Sequence, residues 1–323
     1  MVTSIARFLR QQCVPPTDVR TSFSGKTIIV TGANTGLGFE AALKFVLQDA
    51  SRVILGVRDL TKGEMARDII DYRTGWKGRI DIWQLDMSSY PSIQEFAERA
   101  ATLERLDIVV LNAGVLMSAY KESSYGWEET LQVNLLSTAL LGLLLLPLLE
   151  KTSSEFATED NRRPILEFIT SGAHKHIVIP QAHRDADSLL KLYSGNPGKF
   201  EGHRQYGISK LFVMYVMQTL ADFVKSVREK DPVRVLAVCP GACNSQLGRN
   251  FTGVKAKIVK KIADSTIMRT PEEGSRTLIS ATTLGDEAHG QFWQHDQIQQ
   301  YVIRLRRAFQ LHSPCFFYAD TLS

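Results

Sequence analysis

Tyr206 and Lys210 stand four residues apart in Tyr206-Gly-Ile-Ser-Lys210. On a helix that spacing puts both side chains on one face, about one turn apart. A phenol ordinarily titrates near ~10 and is protonated at neutral pH. An ammonium at about 4–6 Å, with an effective dielectric of about 20, attracts the phenolate by a few kcal/mol and brings the phenol down by roughly two pH units. Tyr206 then falls in the working range of a general acid or base. Alone, such a pair is common on helix surfaces. Two other residues give it company. Ser171 closes the apolar run Ile165-Leu-Glu-Phe-Ile-Thr170, one element earlier, where its hydroxyl can donate to a carbonyl oxygen. Asn134, in Leu131-Gln-Val-Asn134, opens a leucine-rich segment. An amide among apolar neighbours needs partners, and one useful partner is a water leading to Lys210.

Chemistry of this kind needs a second reactant, and a glycine loop offers its place. Thr31-Gly-Ala-Asn-Thr-Gly-Leu-Gly38 follows the apolar run Thr27-Ile-Ile-Val30 and precedes the helix-like Phe39 to Gln48. Glycines let backbone approach a pyrophosphate, and a helix start supplies N–H donors and a positive dipole end. Gly32, Gly36 and Gly38, with Asn34 and Leu37 between them, give G-x-x-x-G-x-G. That spacing lacks the Gly-Lys-Ser/Thr ending of a P-loop, so a dinucleotide is favoured over ATP or GTP.

The elements that must position these groups alternate along the chain. Val53–Val57, Ile80–Leu85, Leu106–Leu111, Ile165–Thr170 and Val233–Val238 follow the first run as strands. Helices are expected at Met65–Tyr72, Ser92–Leu103, Trp127–Leu149 and Tyr206–Arg228. Short apolar strands separated by helices imply an α/β fold, a doubly wound parallel sheet of Rossmann type in a single domain. An N-terminal extension is expected at 1–24, the main domain at 25–290 and a C-terminal extension at 291–323. Residues 172–205 and 242–270 break the rhythm. Ligands in such sheets sit beyond the carboxyl ends of the strands, so both segments are candidate substrate walls.

The 323 residues are 44% apolar and 22% charged, with net charge +4 and no basic run interleaved with aromatics. Nucleic acid is therefore not implied. Cys13, Cys239, Cys243 and Cys315 form no paired framework, which fits reduced thiols in an intracellular, cytoplasmic protein. His174-Lys-His176 has no third ligand at suggestive spacing, so no metal is expected and solvated loop histidines are the simpler reading. Ser4–Gln11 is amphipathic and basic but too short in apolar core for a secretory signal. It is taken as a short helix packed on the domain, with membrane-surface contact the minor alternative. Leu135–Leu149 is shorter than a bilayer span and fits a buried helix at a subunit interface. The aromatic cluster of Tyr301, Phe309 and Phe316-Phe317-Tyr318 fits core or interface packing. Thr270-Pro271-Glu272-Glu273 marks a helix start.

The pieces together resemble the short-chain dehydrogenase/reductase family. They are the loop Thr31–Gly38, Leu85-Asp86-Met87, Asn112-Ala113-Gly114, Asn134, Ser171, Tyr206-Gly-Ile-Ser-Lys210, and Pro240-Gly241 with Ser245 where the family often has threonine. The resemblance runs from residue 25 to about 250. The loop, Arg58-Asp59 and Ser171-Gly-Ala-His174 look like the retinol-dehydrogenase-like branch. The resemblance implies that Tyr206 exchanges a proton with a carbonyl or alcohol oxygen, and that Ser171 orients it. It implies that Lys210 holds the nicotinamide ribose and that Asn134 anchors a proton-relay water. Asp86 would meet the adenine, Asn112 and Gly114 the adenosine side, and Ser245 the carboxamide and pyrophosphate.

Arg58 ends the second strand where an acidic residue would bind a ribose diol, and Lys62 follows one turn later. Arginine suits a 2′-phosphate, so NADP(H) is expected. Asp59 as diol acceptor, with Arg58 a solvated charge, is the alternative. The expected activity is NADP(H)-dependent reduction of a ketone or aldehyde of an apolar small molecule, in a biosynthetic, secondary-metabolic setting. The gap from Ser171 to Tyr206 is long for the family and implies a flap for a bulky substrate. Other readings are a cofactor-binding regulator without hydride transfer, and a cyclase or isomerase on the same fold. A homodimer or homotetramer through the leucine-rich helix and the Tyr206 helix is expected.

Overall fold

A computed structural model describes residues 10–75, 79–156, 163–184, 189–195, 197–227, 233–249 and 268–299. The aromatic cluster from Tyr301 onward, Cys315 and most of Ser4–Gln11 lie outside the described residues.

The strands are β1 (Thr27–Thr31), β2 (Arg52–Val57), β3 (Arg79–Gln84), β4 (Ile108–Leu111), β5 (Ile165–Ile169), β6 (Arg234–Cys239), β7 (Phe292–Gln294) and β8 (Gln297–Gln299). They form one sheet in the order β3-β2-β1-β4-β5-β6-β7-β8. All neighbours are parallel except β7 and β8. β1, β4, β5 and β6 are buried along their whole length, as strands covered on both faces must be. Strand order reverses between β1 and β4, which makes the switch-point crevice where ligands bind in open sheets.

Helices α1 (Gly36–Leu47), α2 (Leu60–Thr74) and α8 (Pro271–Thr282) cover one face, where Phe39, Phe45, Ile70 and Leu278 pack on Ile28, Val30 and Val110. Helices α3 (Tyr90–Ala101), α4 (Glu129–Phe156) and α7 (Gly202–Val227) cover the other, through Ile93, Phe96, Leu141, Leu145, Phe212 and Met217. Local chemistry sets their ends. Asp59 caps α2 by accepting from Lys62 N, and Gly75 closes it at φ +59. Ser89 caps α3 with Pro91 in its first turn. Thr270 and Glu273 form a reciprocal capping box on α8.

Several boundaries differ from the sequence reading. α2 starts at Leu60 and α7 at Gly202, each earlier than expected. α4 is 28 residues long, so by length and composition it could cross a bilayer, as could α7. In both, 78% of the most apolar window is buried inside the fold, which makes them core helices. Six residues of α4, Gln132–Ser137, are wound as a π-helix. The division at 290/291 cuts the sheet, because Phe292 pairs with Ala237 and Gln294 with Cys239. His295 and Asp296, both at φ +55, make the tight turn to β8, as a two-residue hairpin with positive φ at both positions requires.

The described part of 172–205 includes two short α-helices, α5 (Gln181–Arg184) and α6 (Leu189–Tyr193), besides 3-10 turns at Gly172–His176 and Pro197–Lys199. Tyr193 packs edge-on against Phe212 at 5.7 Å, its carbonyl accepts from Gln205 Nε2, and its hydroxyl meets His183 Nδ1 at 2.8 Å. Glu128 N donates to Ser194 Oγ. The segment is therefore fastened to α7 and to the loop ahead of α4.

Candidate active site

A cleft of roughly 550 Å³ runs across the carboxyl ends of β1, β4, β5 and β6. The glycine loop lies at one side. Gly32 and Gly36 adopt φ +66 and +60, which favours glycine. At Gly38 a Cβ would stand 2.6 Å from both the Gly32 carbonyl oxygen and Asn112 Nδ2. The loop is thus drawn tight under the first turn of α1. Thr35, the N-cap, makes no side-chain capping bond, so the first-turn N–H groups are left for an anion. A glycine cradle and an uncapped helix start fit the pyrophosphate of a dinucleotide.

Asn112 lines the cleft and also bonds the glycine loop. Its Nδ2 donates to Thr31 O at 2.8 Å, and Ala113 N donates to Thr31 Oγ1 at 2.9 Å. The side chain ties β4 to the glycine loop, and both Asn112 and Gly114 line the cleft. Asp86 also lines it, with Oδ1 accepting from Ser88 N at 2.9 Å. Arg58 and Lys62 sit on its outer rim, both exposed. Lys62 pairs with Asp59 at 3.2 Å, whose carboxyl is held below its usual range by the hydrogen bond from Lys62 N and then by the lysine side chain. Ser245 caps a short turn, accepting from Leu247 N, and faces Gly36 across the cleft.

Ser171, Tyr206 and Lys210 line the other side. Ser171 stands just beyond β5, where its Oγ accepts from Ala173 N at 3.2 Å. Burial pushes the Tyr206 phenol well above its ordinary range, and the Cys239 thiol adds to this, while a hydrogen bond with Ser171 opposes it. This reverses the expectation that Lys210 would bring the phenol down. The reason is geometric. Lys210 Nζ donates to Ile169 O at 2.8 Å and lies 5.7 Å from the centre of the Tyr206 ring. Its own burial brings Lys210 down to about 8. Desolvation thus acts on both partners, and at this separation it outweighs their attraction.

Asn134 lies in the π-helical stretch, fully enclosed. Oδ1 accepts from Val115 N at 2.8 Å, and Nδ2 donates to Val115 O at 2.9 Å and to Ser209 Oγ at 3.1 Å. The amide clips the post-β4 loop to α4 and α7. Gly114 lies beside both Asn134 Oδ1 and Lys210 Nζ, which a Cβ there would approach to 3.1 and 3.8 Å. His174 is enclosed too, with Nδ1 at 2.6 Å from Ser171 O and its ring edge-on to Phe292 at 5.1 Å. Burial brings it down to about 4, so it is a neutral strut rather than a solvated loop histidine.

Comparison with known proteins decides the family. Residues 26–155 match the family model described as short chain dehydrogenase. A short-chain dehydrogenase/reductase of Aspergillus flavipes, ffsI, is 42% identical over 298 residues, covering 92% of this chain and 84% of that protein. The chain belongs to the short-chain dehydrogenase/reductase family. It is an oxidoreductase of that family. A second member, phmF of Phaeosphaeria nodorum, is 40% identical over 298 residues, covering 92% of this chain and 85% of that one. Among solved structures, the oxidoreductase yciK of E. coli shares the fold at TM-score 0.60 and 24% identity, covering 87% of this chain and 99% of that one. A Sphingobium yanoikuyae short-chain dehydrogenase in complex with NADPH matches at TM-score 0.59 and 18% identity, covering 80% and 84%. These relatives carry the family and the fold. They do not single out the retinol-dehydrogenase-like branch.

Among the described residues, 240–243, 245–247, Arg249 and Met268 line the cleft, and none of 172–205 does. Sequence reasoning passed over Gln12 and Arg269, which hold the 240–244 wall from behind. Gln12 carried no signal, since one glutamine in a polar N-terminal stretch resembles any other.

Proposed function

We propose that the protein reduces a ketone or aldehyde of an apolar small molecule with NADP(H), using Tyr206 as general acid. The observation that carries this reading is a half-buried phenol, held in its protonated form, that lines the cleft together with Ser171 and Lys210 at the far side from a glycine-cradled helix start. A phenol held above its usual range keeps its proton across neutral pH, the state a proton donor in reduction needs. The glycine loop, Asp86, Asn112, Gly114 and Ser245 would hold the dinucleotide, with Lys210 beneath its ribose. When bound, the reduced nicotinamide supplies a hydride to the carbonyl carbon. Tyr206 gives its proton to the carbonyl oxygen, and Ser171 donates a hydrogen bond that orients that oxygen. Asn134, by fixing Val115 and Ser209, keeps the loop and helix around Lys210 in register.

The preference for NADP(H) rests on Arg58. Among the described residues it has no carboxylate partner, while the Asp59 carboxylate is engaged by α2 and Lys62. An unengaged guanidinium at the rim suits a 2′-phosphate. The exposed rim carboxylate suits a ribose diol less, because it is already bonded. A cytoplasmic, biosynthetic role fits three free cysteines among the described residues and fungal relatives. The partly exposed Leu140, Leu143 and Leu144 of α4 and Phe223 of α7 support pairing of two copies along these helices, which sedimentation would read.

The test is consumption of NADPH with a panel of apolar ketones and aldehydes. Tyr206→Phe should bind NADPH as wild type does and turn over none of the panel. Turnover retained in that variant, or wild type faster with NADH at equal concentration, would overturn the corresponding half of the reading.

A further inference from the structure

The segment ahead of β1 reaches into the wall of the cleft. Gln12 is 2% exposed. It pairs with Ala242 in both directions: Nε2 donates to Ala242 O at 2.6 Å, and Ala242 N donates to Oε1 at 3.1 Å. Arg269 lies behind the pair. Its Nη1 donates to Pro240 O, and its Nη2 to Gln11 O and Val14 O, all at 2.9 Å. Its backbone takes the other edge of the loop, with Arg269 N donating to Ala242 O at 2.9 Å and Asn244 N donating to Arg269 O at 2.8 Å. Between these contacts Gly241 adopts φ +85, and a Cβ there would stand 2.8 Å from Arg269 Nη1 and 2.9 Å from Gln12 Oε1.

A buried amide must find partners somewhere. Here both of its functions go to the backbone of one residue, Ala242, in the manner of a strand edge. Ala242 belongs to the stretch Pro240–Cys243 that lines the cleft. Beyond β6 the sheet no longer holds this backbone, so its position depends on residues 11–14 and 269. A wall fixed before the ligand arrives spares the ligand the cost of ordering it.

We propose that Gln12 is a positioning residue for the dinucleotide site, its amide fixing the Gly241–Ala242 backbone so that the N-terminal segment braces the cofactor wall. The inference rests on the dinucleotide reading above. Gln12→Met keeps side-chain length and removes both hydrogen bonds. The expected result is NADPH binding weakened about tenfold by fluorescence titration, in line with two lost bonds. KM for NADPH should rise with kcat at saturating cofactor little changed. Amide exchange at Ala242 should quicken in the free protein while the melting temperature moves by only a few degrees. Gln12→Asn, one methylene short, should act in the same direction and carries the test if the first variant does not fold. Unchanged NADPH affinity with faster exchange at Ala242 overturns the proposal, because the contact is then structural only. Unchanged exchange overturns it as well. Wild type that takes up neither NADPH nor NADH overturns the functional reading and this role with it, whereas normal wild-type uptake with indifferent variants overturns this inference alone.

Discussion

At the scale of single residues, Tyr206 and Lys210 share a helix and line one side of the cleft. A four-residue spacing specifies a shared helix face. It says nothing of depth, and depth decides here. Tyr206 is pushed up and Lys210 down to about 8, because burial penalises phenolate and ammonium alike. The consequence is a definite pH profile. Lys210 is cationic below about 8 and loses its proton above, while Tyr206 keeps its own throughout. The value of kcat/KM for carbonyl reduction should be level below about pH 8 and fall above it with the slope of one proton. Lys210→Met should lie low and flat across the same range. A wild-type profile level to about pH 10 would remove Lys210 from the explanation. The glycine loop allows a second test. In Gly38→Ala the new methyl meets the Gly32 carbonyl at 2.6 Å, and a backbone oxygen inside a turn cannot swing aside. Overpacking of this kind costs about 1–3 kcal/mol, so the variant should melt lower and lose NADPH binding measured by titration.

At the scale of elements, legibility followed length and burial. Five-residue buried runs such as Ile165–Ile169 announced themselves, and so did the cap Thr270-Pro271-Glu272-Glu273. β7 and β8 did not, since each is three residues long and they turn on His295-Asp296 rather than on a glycine pair. The π-helical winding around Asn134 was equally hidden, because the leucine pattern is the same for either winding. Asp59 shows how an element explains a residue. Sequence alone left its carboxylate open between a ribose diol and no role; the structure bonds it to Lys62 N at the start of α2. Asp59→Asn keeps a capping oxygen and removes the charge. The KM for NADH should then stay within about twofold of wild type, since no diol contact is lost. Asp59→Ala should lower stability through the lost cap, seen in denaturant melts. A large rise in the NADH KM of Asp59→Asn would restore the diol reading and weaken the case for Arg58.

At the scale of the whole molecule, groups buried in opposite charge logic set how stability responds to pH. His174 and His295 are both brought down to about 4, chiefly by burial, and His295 further by Arg269, which donates to its Nδ1. The native protein keeps them neutral, whereas the unfolded chain protonates them near ~6.5. Their contribution is therefore whole above about pH 6.5 and is lost as pH falls toward about 4, up to about 3 kcal/mol for His174. Glu167 works the other way. It sits in the middle of β5 with neither carboxyl oxygen hydrogen-bonded, and burial alone holds it well above its ordinary range. The unfolded chain releases this proton above about pH 4.5 and the native protein resists doing so, so Glu167 subtracts stability as pH rises. Between about pH 4.5 and 6.5 the two effects oppose, two histidines against one carboxyl, so the wild-type melting temperature should fall toward acid less steeply than the histidines alone would make it. Glu167→Met fills similar volume without the carboxyl. It should raise the melting temperature by several degrees at pH 8, at roughly 2–4 °C per kcal/mol for a chain of this class. The advantage should shrink as pH falls below about 4.5, where wild type holds the proton in both states, and the variant should then show the histidine-driven decline uncovered. An advantage equal in both pH ranges would mean that Glu167 titrates normally, and its place inside β5 would need another account.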